Sequence, residues 1–393
     1  MKLIKYIQKQ SSIKTEIVFL TILFFVATLY FFGSSGSNDV FVRQHLWVDN
    51  MQILGWKLGY ELSRVDYPPL GLIILYYVAK VDKYTILTYG QSWHLMILGG
   101  MVGSLIAYYK MTRSYLLGLF ALFVFLIVSI DFGYTDIVFL PFFIFSLFFL
   151  MKKKYFLSGL AFFLSVSIKW QPLILLPVFV IYLLNINKIS FKIRKKNILS
   201  FLSFMAALVL IYVPQHLIFG KEVIISLLRA TGWNTLTGNA LNLGWILYYL
   251  NNSFFKLPLM YLINSLLWIF YLFYFILLLK FIYTKKTFYN FLYCLFVAAL
   301  GYFVLNKGVH ENHLFLAVSI LPLIYNMMKN NIVQMIYWTA ALNINIFVFY
   351  GFYGAGWPFP PQFGLDFALI FSILNFLMFI YLMVKFKLFK LVR

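Results

Sequence analysis

The chain has 393 residues, 63% of them hydrophobic and only 11% charged, with a mean hydropathy of +0.89. That composition excludes a string of soluble domains, because no stretch is polar enough to be one. The net charge of +21 points to a nucleic-acid binder only until its distribution is read, and the single Cys294, in an apolar run, excludes an intrachain disulfide and any cysteine-based metal site.

Taken in order, the chain opens with MKLIKYIQKQSSIKTE, a basic stretch ahead of an apolar segment over 17–33. That segment is long for a cleaved signal and reads as a retained first helix. Residues 34–91 form a long first outer loop. Within it, LGLIILYYVAK at 70–80 is apolar but too short to cross hydrocarbon, so it reads as interfacial. Further spans fall at 92–109, 115–130, 137–151, 155–168, 171–186, 198–214, 259–282, 287–305, 314–327, 333–351 and 365–384, with a second long outer loop at 215–258. The expected fold is an all-α polytopic membrane protein, one integral membrane domain over 1–393, with about twelve transmembrane helices and both termini inside.

With 70–80 held at the interface, 22 of the 32 Lys and Arg residues fall inside, among them Lys110, Arg113, Lys152, Lys153, Lys154, Lys280, Lys285 and Lys286. This is ordinary positive-inside behaviour; membrane lipids are the partner it implies, and nucleic acid is not needed. Ten of the eleven acidic residues fall outside, all but Glu16. The inner connections are short and basic, and the acid–base groups lie on the outer or lumenal face.

The first outer loop concentrates those groups. SSGSNDVFVRQHLWVDNMQILGWKLGYELSRVDYPPL holds Asp39, Asp49, Glu61 and Asp66 together with His45. Asp39 follows a small-residue turn and reads either as the N-cap of a helix starting near Val40 or as a general base for an acceptor hydroxyl. His45 faces the same site or sits in the interface. Asp66-Tyr67-Pro68-Pro69 is a corner made rigid by its prolines. Farther on, NKGVHENH places Lys307, His310, Glu311 and His313 at a helix mouth. Such a cluster suits a phosphate held by charge-assisted hydrogen bonds. His310 and His313 are spaced for a metal, but no third ligand accompanies them, so neither metal nor cofactor is expected. Lys169 and Arg229 are further outer cations, each open to a phosphate contact or to the plainer role of a solvated, snorkelling side chain.

These residues carry a resemblance. The first loop is similar to that of the GT-C glycosyltransferases that take sugar from a polyprenyl phosphate, above all glycosyltransferase family 57, the dolichyl-phosphate-glucose-dependent α-1,3-glucosyltransferases of N-glycan assembly. The run Asp39-Val-Phe-Val-Arg43-Gln44-His45 resembles the family's Asp with Arg and His a few residues on. Asp66 to Leu70 matches its D-Y-P-P-L, and Val309-His310-Glu311 matches its lumenal V-H-E. The turn around Asp131 resembles an Asp-bearing turn of the family, without its His-rich continuation. Asn312 stands where the family has Lys.

The resemblance implies a polyprenyl- or dolichyl-phosphate sugar donor and a glycan or lipid-linked oligosaccharide acceptor. It implies a hexose, glucose or mannose, moved with inversion and Asp39 as base. His45, Asp66, Tyr67, Lys169, Arg229, His310 and Glu311 would contact substrate, with cations among them on the phosphate. The membrane would be the plasma membrane in a prokaryote and the endoplasmic reticulum in a eukaryote. A transporter or flippase of amphipathic substrates is the competing class; it calls for polar residues inside spans and paired broken helices.

Overall fold

The structure, a computed structural model, describes residues 38–114, 134–186, 194–324, 332–350 and 367–385. The described residues are overwhelmingly α-helical, and the protein is an all-α membrane protein. The helices are α1 (Asn38–Leu54), α2 (Trp56–Leu62), α3 (Pro69–Tyr84), α4 (Tyr89–Thr112), α5 (Asp136–Met151), α6 (Tyr155–Ile168), α7 (Leu176–Leu184), α8 (Lys195–Phe219), α9 (Glu222–Thr231), α10 (Leu243–Leu250), α11 (Leu259–Tyr283), α12 (Phe288–Leu305), α13 (Leu314–Ile324), α14 (Ile332–Tyr350) and α15 (Phe367–Lys385). Five are long and apolar enough to cross a membrane: α4, α8, α11, α12 and all but the last residue of α15. The spans expected at 17–33 and 115–130 lie outside the described residues.

Local chemistry sets many of the ends. Thr88 opens α4 with a capping box: its Oγ1 accepts from the Gln91 N–H at 3.2 Å, and the Gln91 Oε1 accepts from the Thr88 N–H at 2.9 Å. Pro68 is extended and Pro69 takes the first position of α3, where its missing N–H costs nothing. Between 171 and 186, expected as one span, the chain first makes a 3₁₀ turn, Gln171–Leu175, and then α7. Pro172 and Pro177 each lie in the first turn of their segment, the place where a missing N–H is tolerated. Residues 215–258, expected as one long loop, are largely helical, carrying the end of α8 and all of α9 and α10.

Close contacts at small residues give the helix directions. Gly100 of α4 lies on Ile137 of α5, and Gly103 on Pro141, so the two helices run parallel. Ser146 and Ser158 join α5 to an antiparallel α6 across the Lys152–Lys154 turn. Gly159 of α6 packs on the Phe204 carbonyl of α8, and Gln215 donates to Ser167, so α6 and α8 are parallel. Small residues let helices approach closely where lipid supplies no hydrophobic drive between them. An aromatic core of Phe162, Phe179 and Phe204, with ring centroids 4.6 to 5.7 Å apart, fills the space between α6, α7 and α8. Lys110, Arg113, Lys152–Lys154, Arg194–Lys196, Lys285 and Lys286 consequently gather at one end of the bundle.

The helix α3 belongs to the other end. Its first turn lies on the C-terminal end of α6, where a Cβ on Gly71 would stand 2.4 Å from the Ile168 carbonyl oxygen. Eleven residues of α4 precede Gly100, so α4 overhangs the start of α5 by about 16 Å at 1.5 Å per residue. The α3–α4 turn is carried on that overhang.

Candidate functional site

At the end away from the basic turns lies a cavity of about 320 Å³, near the lower bound for small-molecule sites. The corner supplies Asp66, Tyr67 and Pro68, and α1 adds Trp47. The junction of α6 with the 3₁₀ turn supplies Lys169, Trp170 and Gln171, and the segment after α12 supplies His310 to His313. Leu227, Ala230 and Thr231 of α9 complete a more apolar side with Leu173, Ile174 and Pro177.

Beneath this cavity sits a buried ion pair. Asp136 is the first residue of α5, where a carboxylate complements the positive end of the helix dipole. Its Oδ1 meets Lys169 Nζ at 2.7 Å, and its Oδ2 accepts from Asn312 Nδ2 at 2.9 Å. Burial is the largest influence on the Lys169 pKa and pulls it down, but Asp136, Tyr67 and Glu311 together raise it by more, so the net shift is upward and the ammonium stays charged. The same nitrogen stands 5.7 Å from the centroid of the Tyr67 ring. Burial in turn raises the Tyr67 phenol. Lys169 is therefore not the solvated, snorkelling side chain that its position between two helices allowed.

The second element is the loop after α12. Glu311 is buried; its Oε1 accepts from the Tyr134 hydroxyl at 2.7 Å, and its carbonyl oxygen accepts from Asn345 Nδ2 of α14. His310 Nδ1 lies 4.0 Å from Glu311 Oε2, with the imidazole 29% exposed. Trp233 meets that ring edge-on, centroids 4.8 Å apart. Gly238 makes the slot: a Cβ there would fall 2.9 Å from the imidazole. The slot is held by the backbone, through Gly238 N–H to the Val309 oxygen at 2.8 Å and Gly308 N–H to the Thr235 oxygen at 3.0 Å. His313 is a separate case. Burial first, then His310 and Lys169, hold its imidazole well below the ordinary value, and its Nδ1 accepts from the His310 N–H at 3.2 Å.

Five of the seven residues expected to contact substrate thus come together: Asp66, Tyr67, Lys169, His310 and Glu311. Arg229 does not. It stands on α9 beside Glu222, 3.2 Å away, on a flank that does not line the cavity. Lys307 donates to Asn234 Oδ1 at the surface. Among the described residues, the expected cluster of cations reduces to Lys169 and His310. Asp39 and His45 lie on α1, Asp39 within the helix rather than at its cap. Their side chains, and Asp131, are outside the described residues. Tyr134, Asp136, Gln171 and Asn312 were not singled out; Asp136 was visible as one of the outer acids, whereas the others carry no spacing signal.

The arrangement offers a partly exposed imidazole next to a carboxylate, an ammonium with hydrogens left after the Asp136 contact, and aromatic walls. It is equipped to hold a polar, partly anionic group and to move a proton at His310. No protein-family model matches the chain, and none of the curated proteins compared with it matches.

Proposed function

We propose that the protein is an inverting glycosyltransferase of the GT-C type, with about twelve transmembrane helices, that moves glucose or mannose from a polyprenyl- or dolichyl-phosphate carrier to a glycan or lipid-linked oligosaccharide. The observation that supports it best is the gathering of Asp66, Tyr67, Lys169, His310 and Glu311 around one cavity, at the bundle end opposite the basic turns. By the positive-inside rule that end is the outer or lumenal one.

In this reading the acceptor hydroxyl loses its proton to Asp39, on the helix that also carries Trp47 to the cavity wall. The hydroxyl oxygen bonds to the anomeric carbon from the face opposite the leaving group. The bond from that carbon to the phosphate oxygen breaks, and polyprenyl phosphate departs. Lys169 and His310 stabilise its charge, fixed in place before the reaction by Asp136 and by the Trp233–Gly238 slot. Purified protein incubated with a panel of polyprenyl-phosphate sugars and an oligosaccharide acceptor tests the reading. One donor should be consumed, and Asp39→Asn should lower transfer about 100-fold or more while leaving donor binding intact. Near-normal transfer by that variant removes Asp39 as base; movement of donor across vesicles without transfer replaces the enzyme by a flippase.

A further inference from the structure

The segment over 235–242, which makes the slot for His310, is not helical, and its backbone finds partners on the spans instead. Leu241 is fully buried and packs with Val348 and Phe349 of α14 and Ala368 of α15. Its N–H donates to Asn345 Oδ1 of α14, and its carbonyl oxygen accepts from Asn375 Nδ2 of α15, each at 2.7 Å. The Tyr337 hydroxyl donates to Asn375 Oδ1, which links the two spans. Asn242 Nδ2 donates to the Phe303 carbonyl oxygen of α12 at 3.1 Å. Buried peptide groups need such partners, and non-helical backbone is tolerated at membrane depth only where protein covers it.

Asn345 does more than hold Leu241. Fully buried, it also donates through Nδ2 to the Glu311 carbonyl oxygen. That oxygen belongs to the peptide between Glu311 and Asn312, and the two flanking side chains run to different parts of the site. The Glu311 carboxylate accepts from Tyr134 and faces His310. The Asn312 amide donates to Asp136, the carboxylate that holds Lys169. The Gly238–Val309 and Gly308–Thr235 backbone bonds join the 235–242 segment to the loop after α12, and Asn345 bonds to both of them from a span. Its partners are one N–H donor and one carbonyl acceptor, so the amide can point only one way.

We infer that Asn345 is a positioning residue: from α14 it fixes the Glu311–Asn312 peptide, and through it the placing of His310 and of the Asp136–Lys169 pair at the cavity. Its effect on sugar transfer rests on the proposed function, but its first test does not use transfer. That test is hydrogen exchange, read by mass spectrometry, on the full chain in nanodiscs of phosphatidylethanolamine and phosphatidylglycerol. Asn345→Leu makes neither bond. Protection of the amides over 235–242 and 306–313 should fall together, by about 10-fold or more, while the α5–α6 hairpin keeps its own.

Asn345→Asp is the rescue. At pH 5 burial keeps that carboxyl protonated, so its carbonyl oxygen accepts from the Leu241 N–H and its O–H donates to the Glu311 oxygen. At pH 5 this variant should match the parent's protection in both segments. A loss confined to one segment, an equal loss in the α5–α6 hairpin, or a 10-fold loss in Asn345→Asp at pH 5 overturns the inference. In the transfer assay Asn345→Leu should lower kcat of the folded protein about 10-fold or more, with Asn345→Asp close to the parent at pH 5. Unchanged kcat in Asn345→Leu, with protection lost, overturns the positioning role. If exchange behaves as expected but the parent transfers no sugar, the tie stands and only the enzyme reading falls.

Discussion

Lys169 and Asp136 meet at 2.7 Å with their side chains 8% and 0% exposed, a desolvated ion pair at the floor of the cavity. Such a pair is worth little against an apolar replacement of both partners, but removing one strands a buried charge. Lys169→Met or Asp136→Asn alone should therefore cost about 3–5 kcal/mol, and the two changes together should cost less than their sum. Thermal unfolding of the detergent-solubilised variants measures this; additive losses would show that the pair does not couple.

His313 gives the floor a pH dependence. Its folded pKa is depressed, so the neutral imidazole is the stabilising form. Between the folded value and the ordinary one of about 6.5 the unfolded chain binds more protons, so stability rises with pH there and is lost as pH falls below about 6.5. His313→Asn retains an acceptor for the His310 N–H and removes the titration. The melting temperature of the parent should drop on acidification through that window, and the variant's acid limb should be flatter.

The Tyr134 hydroxyl supplies a donor to the buried Glu311 carboxylate. Tyr134→Phe leaves that oxygen short of its partner and should cost about 1–3 kcal/mol. Glu311→Gln keeps an acceptor for Tyr134 while discharging the residue, so its loss should be smaller. Equal losses in the two variants would mean that the site needs the charge as much as the hydrogen bond.

Two glycines test the helix packing. A Cβ on Gly159 would fall 2.2 Å from the Phe204 carbonyl oxygen, and one on Gly71 would fall 2.4 Å from that of Ile168. Both neighbours are backbone and cannot rotate away. Gly159→Ala should separate α6 from α8 at a cost of about 2 kcal/mol or more. Gly99→Ala, with open space around its Cβ, is the control and should be near neutral in the same melting assay.

Much of the helix layout was legible because hydropathy alone decides where a chain enters hydrocarbon. The span expected at 155–168 is α6 with the same bounds, and 259–282 differs from α11 by one residue. The corner at Pro68-Pro69 was legible for a covalent reason, the fixed φ of proline. Pairings were not. Asp136 and Lys169 are 33 positions apart and meet only because α5 and α6 form an antiparallel hairpin that brings the start of one helix to the end of the other. Arg229 illustrates the limit from the other side. Its charge marked it as a phosphate ligand, but the rotation of α9 about its axis turns it to Glu222 and away from the cavity. A list of charges carries no information about that rotation.

The overhang of α4 and the corner at Asp66 and Tyr67 are set by different helices. The overhang carries the turn between α3 and α4, whereas the corner is seated on the bundle, with Gly71 against the Ile168 carbonyl and Tyr67 beside Lys169. Removing one turn from α4 before Gly100 would draw the far end of α3 about 5 Å toward the bundle, with the start of α3 still resting on the end of α6. The outer reach of the first loop can thus change length while the cavity keeps its wall.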